Sequence, residues 1–182
     1  MPTYVTLLRG INLAGHKRMK MERVRAMFAA LGHEQVKTYL QSGNVVFRSP
    51  EKSAAKLSEK IEKQIVSEFG FEVPVLTLSA KELSDVAANN PFLRERGIDT
   101  TKLHVTLLSA EPAPAAVKKL ETIGAGADQF RLYGRQIYLY CPNGYGRTKL
   151  SNNVLEKALS VRATTRNWQT VTALRQMCEE YG

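Results

Sequence analysis

The chain has 182 residues, 43% hydrophobic and 24% charged, which suits one large globular domain or two small ones. No apolar run approaches the roughly 20 residues of a membrane span, and the opening Met1 to Leu8 lacks the basic head and cleavage site of a signal peptide, so a cytoplasmic protein with no membrane partner is expected. The net charge of +9 divides as +6 over residues 1–50, −2 over 51–100 and +5 over 101–182, a balance that favours anionic small molecules or nucleic acid.

Tyr4 to Leu8 reads as a strand bounded by Gly10. A helix follows near residues 20–31, with Met21, Val24, Met27, Phe28 and Leu31 at helical spacing and Gly32 as its stop. Strands over Val36–Leu40 and Val45–Arg48 flank Gln41-Ser42-Gly43-Asn44, a hairpin turn. Ser49-Pro50-Glu51 predicts a helix start, with a capping hydroxyl, proline at the first position and an acid in the first turn. Leu57, Ile61, Ile65 and Phe69 form its apolar stripe, and Val73–Thr77 supplies a fourth strand.

A linking segment opens on Ser79-Ala80-Lys81-Glu82, a capping box, and its helix ends at Asn90-Pro91-Phe92 before polar residues 94–101. The same order then recurs. Leu103–Leu108 is a strand, Pro114–Ile123 a helix, Phe130–Tyr133 and Gln136–Tyr140 a hairpin about Gly134, Lys149–Leu159 a helix, and Val161–Thr165 a short strand. Trp168, Val171, Leu174 and Cys178 mark a last helix. No residue-level repeat is evident. The duplicated element order predicts an α+β protein: two ferredoxin-like β-α-β-β-α-β units in tandem with antiparallel sheets, a linking helix and a C-terminal helix. The expected boundaries are 1–78, 79–101 and 102–182.

Four polar segments stand at predicted strand ends: Arg9 to Asn12, Gln41 to Asn44, Pro142 to Lys149, and Thr164 to Trp168. In such a unit the loop after the first strand and the hairpin between the second and third share one sheet edge. That edge gathers Arg9, Asn12 and His16 beside Gln41, Ser42 and Asn44. In the second unit the third and fourth strands end together, which sets Pro142–Lys149 beside Arg166, Asn167 and Trp168. If the two edges face each other, one basic cleft would hold all four segments. Gly144 and Gly146 free backbone amides in the second-unit loop. Arg147 and Lys149 bring charge to a predicted helix start, where phosphate is favoured, with Thr148 as cap or ligand. The candidate ligand-binding set is therefore Arg9, Asn12, Gln41, Ser42, Asn44, Tyr145, Arg147, Thr148, Lys149, Arg166, Asn167 and Trp168.

Several chemistries find no support. Gly146-Arg147-Thr148-Lys149 breaks the order of a Walker loop, and a dinucleotide fingerprint would need glycine at Lys149. His16, His33 and His104 have no metal-ligand spacing, and no cysteine pair supports zinc. Ser42 lacks a nucleophile elbow, and acids are nearly missing from the four segments, so no acid–base pair stands out. Cys141 and Cys178 are expected to be buried free thiols. Arg18, Lys20, Arg23 and Arg25 crowd the first helix and read as a solvated face. Tyr133, Tyr138, Tyr140 and Tyr145 near Arg131, Arg135 and Arg147 offer stacking surfaces for bases, although strand tyrosines more often pack.

Together these segments resemble a bacterial family, domain of unknown function 1697. The resemblance is carried by Leu8-Arg9-Gly10-Ile11-Asn12, Thr38 through Val45, Asn90-Pro91-Phe92, Gly144 through Leu150 and Thr164 through Thr170, and spans nearly the whole chain. It implies the same α+β fold of two ferredoxin-like units and brings no activity or cofactor. Ala14 and Thr148 stand where the family pattern carries glycine and serine. The expected function is binding of a phosphate-bearing ligand, whether nucleotide, nucleic-acid end or phosphorylated metabolite. The alternatives are an enzyme acting on such a ligand, a nucleic-acid-binding protein, and a protein-interaction module whose polar motifs are structural.

Overall fold

A computed structural model describes all 182 residues. It is an α+β structure with six helices and two four-stranded antiparallel sheets. The chain forms two compact units, Met1–Asp85 with Ala173–Gly182, and Val86–Thr172.

In the first unit β1 (Thr3–Leu8), β2 (Glu34–Tyr39), β3 (Asn44–Arg48) and β4 (Val75–Ser79) lie in the order β2-β3-β1-β4. Alternation along β1 sends Tyr4 and Leu8 to the face that packs on α1 (Met21–Ala30) and α2 (Ala54–Phe69). Met21, Val24, Met27 and Phe28 are the buried stripe of α1; Leu57, Ile61 and Ile65, four apart, are that of α2. Val5, Leu7, Val46, Leu76 and Leu78 on the opposite face are buried as well. The second unit repeats the plan. Strands β5 (Leu103–Leu108), β6 (Gln129–Tyr133), β7 (Gln136–Tyr140) and β8 (Ala163–Asn167) take the order β6-β7-β5-β8. Leu108, Ile137, Leu139, Leu155 and Leu159 form its core with α4 (Pro114–Glu121) and α5 (Asn152–Leu159). Helix α3 (Ala80–Ala88) follows β4 directly, and α6 (Trp168–Glu179) follows β8.

The structure carries a repeat that the linear sequence hides. Val5-Thr6-Leu7-Leu8 and Val105-Thr106-Leu107-Leu108 are identical and sit in β1 and β5. Thr6 and Thr77 share a 2.8 Å hydroxyl bond, as Thr106 and Thr165 do at 2.7 Å. Glu62 of α2 accepts from the first amide of β4, Val75, and Glu156 of α5 accepts from the first amide of β8, Ala163. One turn earlier on each helix, Ser58 accepts from the Thr77 amide and Asn152 from the Thr165 hydroxyl.

Two expected helix starts move. Helix α2 is capped by Ser53, whose hydroxyl accepts from the Lys56 amide at 3.3 Å. Ser49 and Glu51 are used in the preceding turns, where Ser49 Oγ accepts from Glu51 N and Glu51 Oε1 accepts from Ser53 N. Helix α5 is capped by Ser151, not by Thr148, and the tight turn Tyr145–Arg147 precedes it. The expected capping box of α3 forms, with Ser79 N donating to Glu82 Oε2 at 2.8 Å and Glu82 N to Ser79 Oγ at 3.1 Å. Strand β4 begins after Pro74, which has no N–H to give a ladder; its carbonyl accepts from Arg9 N.

Candidate functional site

The first-unit edge is built by one long loop and one tight hairpin. The chain leaves β1 at Leu8, runs through residues 9–20 and enters α1, while residues 40–43 join β2 to β3. Leu8 N donates to Gly43 O at 2.8 Å. Asn12 then ties everything together. Its Nδ2 donates to Gln41 O at 2.8 Å and to Met19 O at 3.0 Å, and its Oδ1 accepts from Met19 N at 2.8 Å. Both N–H groups of that amide are engaged, so Asn12 fixes the loop. Asn44 works similarly inside the hairpin. It is fully buried, and its Nδ2 donates to Tyr39 O at 2.7 Å and to Ser42 Oγ at 3.1 Å. Gly43, at φ 89°, leaves room for Ile11 and Leu8 to close over it.

These ties open a hollow of about 420 Å³ lined by Asn12, Gly15, Arg18, Met19, Lys20 and Gln41. The Arg18 guanidinium lies against Gly15, where an added Cβ would stand 3.3 Å from Nη2. No carboxylate pairs with Arg18 or Lys20. Lys20 is also the N-cap of α1 and makes no side-chain cap, so a helix start without a capping side chain adjoins the hollow. Glu22, exposed in the first turn of α1, is the nearest acid in sequence. The four arginines and lysines read as one helical face therefore divide. Arg23 pairs with Glu68 at 3.2 Å and lies over the Phe69 ring, and Arg25 donates to Thr38 Oγ1 at 2.6 Å. Arg18 and Lys20 precede the helix and face the hollow. The sequence signal that separates them is the run Gly15 to Lys20, rich in charge before the first buried helical residue, Met21.

The second-unit edge brings loop 142–149 and the end of β8 together. Tyr145 stacks on His104 at 4.8 Å between ring centroids, and His104 is the register partner of Asn167. Burial lowers the His104 pKa, and its Nδ1 is buried without a partner. Burial also draws the Arg166 guanidinium down to about 10, opposed by the nearby Tyr145 phenol; it stays cationic at neutral pH. Thr148 faces inward, donating to Asp128 Oδ2 at 2.6 Å and accepting from Leu150 N at 3.1 Å. Buried Cys141 lies close by, and burial pushes its thiol up, which leaves it unreactive. Arg147 and Lys149 are exposed. Asn167 Oδ1 caps α6 by accepting from Thr170 N at 2.8 Å. A hollow of about 430 Å³ lies here, lined by Thr100, Thr101, Asn167, Trp168, Gln169 and Thr172. It contains no ionisable side chain, so it offers a phosphate no countercharge.

Of the expected site residues, Asn12 and Gln41 line the first hollow, and Asn167 and Trp168 the second. Arg9, Ser42, Asn44, Tyr145, Arg147, Thr148, Lys149 and Arg166 line neither. No group of three or more His, Cys, Asp or Glu side chains is placed to hold a metal ion, and no helix is long and apolar enough to cross a membrane. Both cysteines are free and buried.

Comparison with known proteins gives a family and a fold. Residues 1–138 match the family described as "Protein of unknown function (DUF1697)". Among solved structures, the conserved bacterial protein SP0830 from Streptococcus pneumoniae is similar, with a TM-score of 0.75 and 24% identity over 97% of this chain and 98% of that one. No curated protein matches.

Proposed function

The chain belongs to the DUF1697 family, and we propose that it binds a phosphate-bearing ligand at the cationic hollow of its first unit. One observation carries this reading: Arg18 and Lys20 both line, without a carboxylate partner, an open hollow beside an uncapped helix start. Charges held without counterions and amide N–H groups held without a cap are what an oxyanion completes. Gln41, which lines the same hollow, supplies orientation. The expected site residues divide by what they already bond. Asn12, Asn44, Thr148 and Asn167 hold loops and helix starts in place, while Arg18 and Lys20 are left for the ligand. Each unit is read as a ferredoxin-like β-α-β-β-α-β fold, on its strand order and its pair of helices on one face. A cytoplasmic setting agrees with two thiols left unpaired.

Calorimetric titration with inorganic phosphate, pyrophosphate and a nucleoside triphosphate tests the reading. Removing one charge-assisted contact costs roughly 1.5–3 kcal/mol, so Arg18→Ala is expected to weaken binding roughly 10- to 100-fold, with Lys20→Ala close behind. Affinity should also fall with added salt. Equal affinities in wild type and Arg18→Ala would remove the assignment.

A further inference from the structure

Folding gives no reason for two leucines beside this hollow. Leu40 sits in the β2–β3 turn at φ 60°, a backbone conformation suited to glycine or asparagine, and 53% of its surface is exposed. Leu13, which pairs with His16 across the Ala14–Gly15 turn, is 62% exposed. Lone exposed leucines are ordinary. These two are not isolated, because the Asn12 Nδ2 to Gln41 O bond ties together the residues that adjoin them. An apolar side chain left in water is a cost to the free protein that a partner recovers.

Around the two leucines, residues 9–20 hold Arg9, Lys17, Arg18 and Lys20 and no acid, and residues 40–43 hold no charge at all. Lys17 is used within the unit, donating to Glu72 O at 2.6 Å. Arg18 and Lys20 face the hollow. The edge thus combines a cationic hollow with leucines that adjoin two of its lining residues, Asn12 and Gln41.

We infer that the partner of this edge is the surface of an anionic phospholipid bilayer, with a headgroup phosphate in the Arg18–Lys20 hollow and Leu13 and Leu40 inserted among the upper acyl chains. The inference rests on the phosphate reading of the same hollow and names the molecule that carries the phosphate. An anionic phospholipid places a phosphate and hydrocarbon side by side, as the edge places its cations and leucines. Single-stranded nucleic acid matches the charge but asks for aromatic rings under its bases, and residues 9–20 and 40–43 contain no Phe, Tyr or Trp. Surface docking needs no spanning helix, so it replaces the sequence expectation of no membrane partner without conflict with the fold.

The test is co-sedimentation with vesicles of phosphatidylcholine, with and without phosphatidylglycerol, alongside a single-stranded oligonucleotide and inorganic phosphate. Leu40→Asn is the informative variant because asparagine suits φ 60°, so the melting temperature should hold or rise. Leu40→Asn and Leu13→Ser are each expected to weaken binding to the anionic vesicles about tenfold, the weight of burying half to two-thirds of a leucine. Arg18→Ala should weaken it as well, and uncharged vesicles should bind poorly. The inference is overturned if anionic vesicles do not bind, if Leu40→Asn binds them like wild type, or if the oligonucleotide alone binds. Retained phosphate binding, still lost in Arg18→Ala, would then show that the hollow stands and only its lipid partner has failed. Absence of any Arg18-dependent phosphate binding would remove both.

Discussion

Alanine at Gly43 probes the contact that sets the whole first-unit edge. With φ at 89°, a Cβ on residue 43 would stand 2.7 Å from Ile11 Cδ1, 2.8 Å from Leu8 Cβ and 3.2 Å from Ile11 Cγ1. Carbon pairs settle at about 3.5–4.0 Å, so the hairpin and the 9–20 loop must part. The left-handed backbone adds roughly 1–2 kcal/mol for an L-residue, and overpacking a tight contact roughly 1–3 kcal/mol. Gly43→Ala should therefore destabilise by about 2–5 kcal/mol. For a chain of this size 1 kcal/mol moves the melting temperature by about 2–4 °C, so a drop of roughly 5–20 °C is expected in a thermal melt, with a matching urea midpoint. Ile11→Val in the same background removes Cδ1 but leaves the Leu8 Cβ, which every residue except glycine carries. The double variant should regain only part of the loss, with a favourable coupling of about 1 kcal/mol. A single variant melting within about 1 °C of wild type, or complete recovery in the double, would refute the packing described.

Asn12→Ala removes two donated bonds and one accepted bond at Met19 and Gln41, so urea denaturation should show a loss of about 1.5–4 kcal/mol. Thr148→Val breaks the bonds to Asp128 and Leu150 N and should cost about 1–3 kcal/mol, with phosphate titration unchanged because the residue lies outside the cationic hollow. His33 is buried between the Phe28 and Phe47 rings, and neither of its ring nitrogens has a partner. Burial, then the Lys60 charge, lowers its pKa. The folded state thus keeps His33 neutral while the unfolded chain takes a proton near pH 6.5, and stability falls as pH drops below that value. His104 adds in the same direction. His33→Leu should remove its share, so the variant's melting temperature should gain on wild type between about pH 7 and 5. A difference that stays constant with pH would contradict the buried neutral imidazole.

The strands and helices were legible because their apolar spacing is strong, as in Leu57, Ile61 and Ile65 or the stripe of α1. Helix starts read from a capping hydroxyl were legible only where a single candidate cap stood alone. Ser79 with Glu82 had no rival, whereas Ser49 competes with Ser53 and Thr148 with Ser151, and the side chain that wins is the one not already held by a neighbouring turn. Arg18 and Lys20 were hidden for a related reason. Charge alone does not tell a loop from a helix face; Gly15 and the Asn12 ties decide that.

The duplicated framework explains why the two edges nevertheless differ in chemistry. Both units keep the threonine pair between the first and last strands and the glutamate on the last strand's first amide. The spacing between equivalent positions shrinks along the chain, so no fixed period exposes the repeat. What the framework does not constrain is the loop leaving the first strand. After β5 that loop is only Ser109 to Ala113, with Glu111 its sole charge. After β1 it runs from Arg9 to Lys20, with four cations, no acid and the exposed Leu13. The long cationic loop thus belongs to one copy of a shared scaffold. Transplanting the short Ser109–Ala113 loop in place of residues 9–20 should accordingly abolish phosphate binding. The Thr6–Thr77 and Glu62–Val75 bonds lie outside the exchanged segment, so the β1–β4 ladder should survive, readable as retained amide protection in hydrogen exchange. Phosphate binding that persists in such a chimera would place the anion site elsewhere in the chain.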